Sequence, residues 1–389
     1  MTRRSPTRLL AVLAAASLCA CADRTADTPL ASGAAPLLSE DPLAEIDGNY
    51  LVRFTGGVPA GFAERVAALG GAVIFAHDGA GIGAVSGVSA EAAAELGALP
   101  GVGEVAADAV TRLDTPAGEI LEWEPEGAVA SPTDPTTARN YARQWQFAAI
   151  GAPTAWAAGR LGSPAVRVAI LDTGLDYGHP DLVGRVDLAA SRSFIPSDNP
   201  VIQANFPGAH PIADLHYHGT HMGATVASNA VIGAGVTSRV TLVGVKTCSR
   251  LGQCPVSAAV AGLLYAADLG VDVANLSHGT LFFLRVDGQF AGRGGTLHAF
   301  IHRAFTYAHA KGVTVVIAAG NSAIDMDHFR DLYLAYCNTP TVICVSATAP
   351  TAAPGFGGPF FNVDSIAPYT NYGRSAITVA APGGRIVTT

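Results

Sequence analysis

From Val166 to Ala380 the chain alternates short apolar runs with segments of helical period, and that alternation confines it to a parallel α/β architecture. Val166–Leu171, Val240–Val245, Val271–Leu276, Thr314–Ala318, Val342–Ala347 and Ile377–Ala380 read as strands. A nearly continuous apolar run suits a strand covered on both faces, which a sheet flanked by helices provides. Between the strands, His218–Asn229 reads as a helix of small residues. Val256, Val260, Leu263, Leu264 and Ala267 fall at helical spacing, and Thr296–Lys311 forms a further helix. The expected fold class is a doubly wound parallel α/β sheet.

A second unit precedes it. Tyr50–Phe54 alternates like a strand, Gly61–Leu69 has helical spacing, and Ala72–Phe75 and Ile82–Val85 are further strands. Ser89 caps a helix running through Leu96, and Pro100–Val105 leads into a last strand. This β-α-β-β-α-β order predicts a small α+β ferredoxin-like unit over 49–113. Residues 22–48 read as a tether. Residues 114–140, with Pro116, Pro125, Pro132 and Pro135, read as a linker, leaving 141–389 for the large domain.

The first 21 residues have the form of an export signal: Arg3, Arg4 and Arg8, then an apolar run from Leu9 to Leu18 that is too short to span a bilayer. The run ends in Leu18-Cys19-Ala20-Cys21, which resembles the lipobox of bacterial lipoproteins and makes Cys21 the candidate lipidation site. An ordinary signal with an incidental cysteine is the alternative. Either reading places the protein outside the cytoplasm, secreted or held at the cell envelope, with membrane contact only through that lipid. The formal net charge of −8 without basic runs argues against a nucleic-acid partner, and none is expected. The remaining cysteines fall into two close pairs, and an even count in an exported chain predicts the disulfides Cys248–Cys254 and Cys337–Cys344.

Active groups collect where the strands of such a sheet end, and three polar residues are candidates there. Asp172 directly follows Val166–Leu171. His218 opens the small-residue helix, whose N-terminus disfavours an imidazolium while a buried carboxylate would favour one and fix its tautomer. Asn321 follows Thr314–Ala318 through Ala319 and Gly320, and its amide suits a developing oxyanion. Each alone is ordinary turn or cap chemistry.

Together, Leu171-Asp172-Thr173-Gly174, His218-Gly219-Thr220-His221 and Ala318-Ala319-Gly320-Asn321 resemble the subtilisin-like serine proteases, or subtilases, whose chain order is Asp, His, Ser. Gln144-Trp145, His179-Pro180-Asp181-Leu182, Asn275-Leu276-Ser277-His278-Gly279, Asn371-Tyr372-Gly373 and Val379–Gly383 extend the likeness over roughly 144–389. The resemblance implies peptide-bond hydrolysis of protein substrates, with Asp172 orienting the histidine, His218 as general base and Asn321 in the oxyanion hole. It implies that Ser277, His278 and Gly279 pair with substrate backbone and that Ala318, Ala319 and Gly320 line the pocket before the scissile bond. It also makes 49–113 similar to the family's inhibitory propeptide, a partner in cis, and a monomer is expected.

The departures bear on activity. No Gly-Thr-Ser turn follows Ala381-Pro382-Gly383 through Thr389, so the expectation is a chain without its nucleophile, inactive by itself. His278 stands where the family often has an aliphatic residue. Asp181 occupies a position that, by the resemblance, binds calcium in some relatives, but the polar loop after the His218 helix is short here; no cofactor is expected, with calcium at Asp181 the one candidate. Two other readings compete. One is a catalytically inactive surface protein that only binds other proteins. The other is a zinc metallohydrolase using His216, His218 and His221, which leaves Asp172 and Asn321 unexplained.

Overall fold

The computed structural model describes residues 44–113, 130–283, 285–286, 289–290, 292–329, 332–352 and 358–384. The expected export signal with Cys21, residues 22–43 of the tether and 114–129 of the linker lie outside the described residues.

The first unit consists of β1 (Ala44–Phe54), α1 (Phe62–Ala68), β2 (Ala72–His77), β3 (Ile82–Ser86), α2 (Ala90–Gly97) and β4 (Val102–Arg112). Its strands lie in the order β2-β3-β1-β4, all antiparallel, which is the ferredoxin-like arrangement. The Ser89 hydroxyl accepts the Ala92 N–H at 3.2 Å and starts α2. β1 begins at Ala44, inside the stretch read as tether, because Ala44 and Glu45 pair with Val110 and Ala109 of the long β4. Backbone pairing of that kind needs no apolar pattern, so composition could not mark it.

The second unit opens with the short helices α3 (Trp145–Ala149) and α4 (Ala152–Ala157). It continues through β5 (Arg167–Asp172), β6 (Arg192–Ser193), α5 (Asn199–Asn205), α6 (His218–Val226), β7 (Thr241–Lys246) and β8 (Gln253–Pro255). Then follow α7 (Val256–Leu269), β9 (Val273–Leu276), β10 (Thr280–Phe283), β11 (Arg285–Val286), β12 (Gln289–Phe290), α8 (Gly292–Ala310) and β13 (Thr314–Ala318). The last described elements are β14 (Leu332–Ala335), β15 (Val342–Ala349), β16 (Ser365–Ile366) and β17 (Val379–Pro382). The main sheet runs β16-β15-β13-β9-β5-β7-β6 with β17 beside β15, and every pair except β15–β16 is parallel. β5 is central, and Val168 to Leu171 are buried.

Two boundaries differ from the sequence reading. α6 stops at Val226, because Ala227 is extended and the following residues fold back onto Asp181. Residues 130–140 belong to the second unit rather than to a free linker. Ser131 N–H donates to Asn229 O at 3.0 Å, Asn140 N–H to Ile232 O at 2.8 Å, and Pro135 and Ala138 are buried.

The two units share a core. One face of the antiparallel sheet packs Val52, Phe54 and Val85 against Phe62, Val66 and Leu96 of its own helices. The other face places Leu51, Ile82, Ala84 and Ala109 in one cluster with Leu263, Leu264, Phe300 and Phe305 of α7 and α8. Each fully buried side chain of this kind contributes roughly 1.5–3 kcal/mol. β4 also pairs with β8, and Asp108 of β4 accepts the N–H of Ser257 (3.1 Å) and its hydroxyl at the start of α7. Arg303 of α8 donates to the carbonyls of Phe54 and Gly81, both at 3.2 Å. Among the described residues no helix is long and apolar enough to cross a membrane.

Candidate active site

The carboxyl ends of three adjacent parallel strands, β5, β9 and β13, carry Asp172, Ser277–Gly279 and Ala318–Asn321. α6 brings His218 to the same rim. Asp172 is fully buried, and its Oδ1 receives the Nδ1 of His218 at 2.8 Å and the N–H of Thr173 at 2.7 Å. A carboxylate only accepts, so Nδ1 carries the proton and Nε2 is left with its lone pair. Burial lowers the His218 pKa, but the hydrogen bond and charge of Asp172, with the charge of Asp214, outweigh it, so the net shift is upward. The N–H groups of Thr247 and Cys248 fix the Asp172 carbonyl at 2.8 and 3.0 Å.

Glycine decides how closely strand and helix meet. A Cβ on Gly219 would stand 2.1 Å from the carbonyl of Gly174, and one on Gly174 would stand 2.2 Å from that of Ile212. Both obstacles are backbone. Gly219→Ala is therefore expected to separate His218 from Asp172 or to cost on the order of 1–3 kcal/mol as overpacking, read by urea unfolding. An unchanged midpoint with an unchanged His218 titration would refute this close-contact account.

Around β13, Ala319 is buried and Gly320 takes φ 90°. Asn371, fully buried, holds this loop. Its amide donates to Ala319 O at 2.8 Å, and its Oδ1 accepts from Ser322 and Ile324 N–H at 3.0 and 3.1 Å. Asn321 sits exposed on the turn so held. In the sequence Asn371 stands out only as part of Asn371-Tyr372-Gly373; its role needs the fold that brings 371 to 319–324.

A model of the Subtilase family matches residues 163–389. The chain belongs to the subtilase family. It is 30% identical over 231 residues to a thermophilic serine proteinase from Bacillus sp. (strain AK1), a match covering 59% of this chain and 46% of that one. It is 29% identical over 263 residues to thermitase from Thermoactinomyces vulgaris, covering 67% and 76%. The match to M-protease from Shouchella clausii, 31% identical over 214 residues, covers 52% and 48%, so the chain spans about half the length of several curated relatives. In fold it is similar to the epidermin leader peptide processing serine protease of Staphylococcus aureus, with a TM-score of 0.64 at 19% identity over 87% of this chain and 75% of that one.

This subtilase departs from the sequence reading at several residues. The ring of His278 faces the interior rather than solvent. It is buried, edge-on to Tyr336 (centroids 5.9 Å apart), and one of its nitrogens lies within 4.8 Å of the Cys248 and Cys254 sulfurs. Burial pushes its pKa down to about 4. Residues alternate faces as the chain leaves the sheet, so Ser277 and Gly279 stay half-buried while His278 points inward. Cys248 is bonded to Cys254 and Cys337 to Cys344.

Asp181 is buried, and its oxygens accept the N–H groups of Val231 (2.7 Å), Ile232 (3.0 Å) and Gly233 (3.0 Å). Gln144 clamps the next residue, donating to Ala234 O at 3.0 Å and accepting its N–H at 2.8 Å. Inward-facing N–H groups repel a cation, so these residues do not fit calcium at Asp181. Nor do His216, His218 and His221 converge as zinc ligands. The His216 and His218 rings are 6.5 Å apart by centroid, and the one described group of three ligand atoms within 4.8 Å is Cys248, Cys254 and His278. Nothing in the sequence marks the pair Lys246 and Asp198. Lys246 is fully buried, pairs with Asp198 at 3.1 Å and donates to Thr173 O, bracing the turn after Asp172. No local pattern marks a buried lysine at the end of an apolar strand.

Proposed function

We propose that this chain is the precursor of an exported serine endopeptidase that cleaves peptide bonds through an acyl-enzyme, with Asp172 and His218 as two members of its catalytic triad. The carrying observation is the 2.8 Å Asp172–His218 pair, set at the strand ends beside Ser277–Gly279 and Ala318–Asn321. Asp172 holds the imidazole so that Nε2 can take a proton from a serine hydroxyl and return it to the leaving amine. Asn321 donates to the oxyanion, and Ser277 and Gly279 offer backbone groups to an extended peptide. The proteases among its relatives support the reading.

The assignment requires a nucleophilic serine in addition to Asp172 and His218. Ser375, the serine nearest the Ala381-Pro382-Gly383 segment, is exposed and has its N–H on Asp327 Oδ1 at 2.9 Å. The 44–113 unit is read as a propeptide, supported by the β4–β8 pairing, by Asp108 at the start of α7 and by Arg303 on its carbonyls. Cys21 as a lipid anchor belongs to the same proposal.

A fluorophosphonate probe tests the reading. Chain carried past residue 389 by its own coding sequence, and freed of residues 1–113, is expected to be labelled, with labelling lost in His218→Ala. Absence of labelling in that longer chain would overturn the enzyme reading in favour of a subtilase-like binding protein.

A further inference from the structure

We infer that Asp214 is a positioning residue for His218, acting as a second fixed negative charge that reaches the imidazole through Thr173 and the turn before α6. The kinetic consequence rests on the reading of His218 as general base; the placement itself does not.

Asp214 lies four residues before His218 and touches neither Asp172 nor the imidazole in any described hydrogen bond. It accepts five. Oδ1 takes the Thr173 hydroxyl (2.9 Å), the His216 N–H (2.8 Å) and the Tyr217 N–H (3.1 Å). Oδ2 takes the Thr220 N–H (3.0 Å) and hydroxyl (2.6 Å). The Thr173 hydroxyl in turn accepts the Gly219 N–H at 2.9 Å. One carboxylate therefore joins the turn after Asp172, the approach to α6 and the first turn of α6, the three backbone segments whose spacing sets the Asp172–His218 bond.

Backbone strain shows what this network holds. Tyr217 takes φ 85°, a left-handed conformation that costs a non-glycine residue about 1–3 kcal/mol and persists only where neighbours fix it. The Asp214 bond to its N–H and the His221 N–H on its carbonyl (3.0 Å) fix it here. The strain lies on the residue before His218, so it aims the imidazole.

The electrostatics agree. The charged and titratable groups around His218 are Asp172 from β5, Asp214, His216 and Tyr217 from the preceding turn, and His221 from α6. Lys246 from β7 faces His216, and His278 follows β9. Of these only the two aspartates favour the imidazolium. Burial keeps His216, His221 and His278 toward their neutral forms.

All five groups facing Asp214 are donors, so an amide there must turn its own NH₂ toward at least one of them. The test is an imidazole NMR titration of residues 1–389 carrying wild-type Asp214, Asp214→Asn, Asp214→Ser or Asp214→Glu, with Asp172→Asn as the reference. The His218 midpoint is expected to fall in both neutral variants, by less than in Asp172→Asn, and to be restored toward wild type in Asp214→Glu. In the longer, labelled chain the acid limb of the kcat/KM profile should move to lower pH in the neutral variants. Folded neutral variants with an unmoved or raised midpoint overturn the inference. If neither neutral variant folds, Asp214 is merely structural and the inference is equally overturned. Because the titration needs no nucleophile, its failure is distinct from failure of fluorophosphonate labelling.

Discussion

Replacing Asp172 by asparagine is expected to lower kcat by about 10⁴-fold in a chain that carries the nucleophile, with a much smaller effect on KM. Asparagine can still accept at the Oδ1 position, so the ring stays near its site. What is lost is the charge that favours imidazolium as the proton leaves serine, and the acceptor-only character that selects the Nδ1–H tautomer. Stability should change with a defined sign. The His218 pKa is raised in the folded chain, so the pair's stabilisation is fully present below the unfolded value near about 6.5 and is lost as pH rises through the folded value. Asp172→Asn removes that contribution and leaves burial, which lowers the pKa. The difference in unfolding free energy between the two chains should therefore be larger at pH 5 than at pH 9. A kcat within tenfold of wild type would contradict the assignment.

The largest stability effect is expected at Lys246. The side chains of Lys246 and Asp198 are 0% and 4% exposed and stand 3.1 Å apart. Lys246→Met leaves the Asp198 carboxylate buried without its cation, a change that costs about 3–5 kcal/mol where one partner of a buried pair is removed. It also takes the ammonium donor from the Thr173 carbonyl, next to Asp172. Asp198 has a second duty, accepting the Arg250 N–H at 2.8 Å. The informative double variant is thus Lys246→Met with Asp198→Asn, which keeps an acceptor for Arg250 while removing both charges. Most of the loss should be recovered there. Urea unfolding of the wild type, the single variant and the double variant measures this, and a single-variant loss below about 1 kcal/mol would show the pair to be solvated rather than buried.

Much of the site could be read from the sequence because it depends on short-range chemistry. An apolar run ending in Asp-Thr-Gly places a carboxylate at a sheet edge, and a small-residue run after His218 marks a helix that must approach that edge closely. Gly219 makes the point physically, since any Cβ there meets the backbone of Gly174. The regular elements followed from hydrophobic period for the same reason: burial on one or both faces leaves a local trace.

What failed to show in the sequence depends on distance along the chain. His278 lies one residue from the half-buried Ser277, and only the packing of Tyr336 and the Cys248–Cys254 pair decides that its ring faces inward. Asp181 reads equally as a cation ligand or as an acceptor for N–H groups. The choice was made by the short 229–234 loop, whose backbone donors turn toward it. Asp214 and Lys246 look like an ordinary loop acid and a lysine ending a strand, and they acquire their roles from partners at residues 173, 198 and 220.

The sequence by itself determined the alternating α/β order, the family, and the positions of Asp172 and His218, because each of these is written in periodicity or in contiguous motifs. Only the tertiary structure decided the 2.8 Å bond between them, the inward turn of His278 and the two carboxylates, Asp181 and Asp214, that hold loops by accepting backbone N–H groups. Those outcomes depend on which donors a fold brings to a buried acceptor, and unsatisfied buried groups cost enough that the fold must supply partners from wherever in the chain they lie.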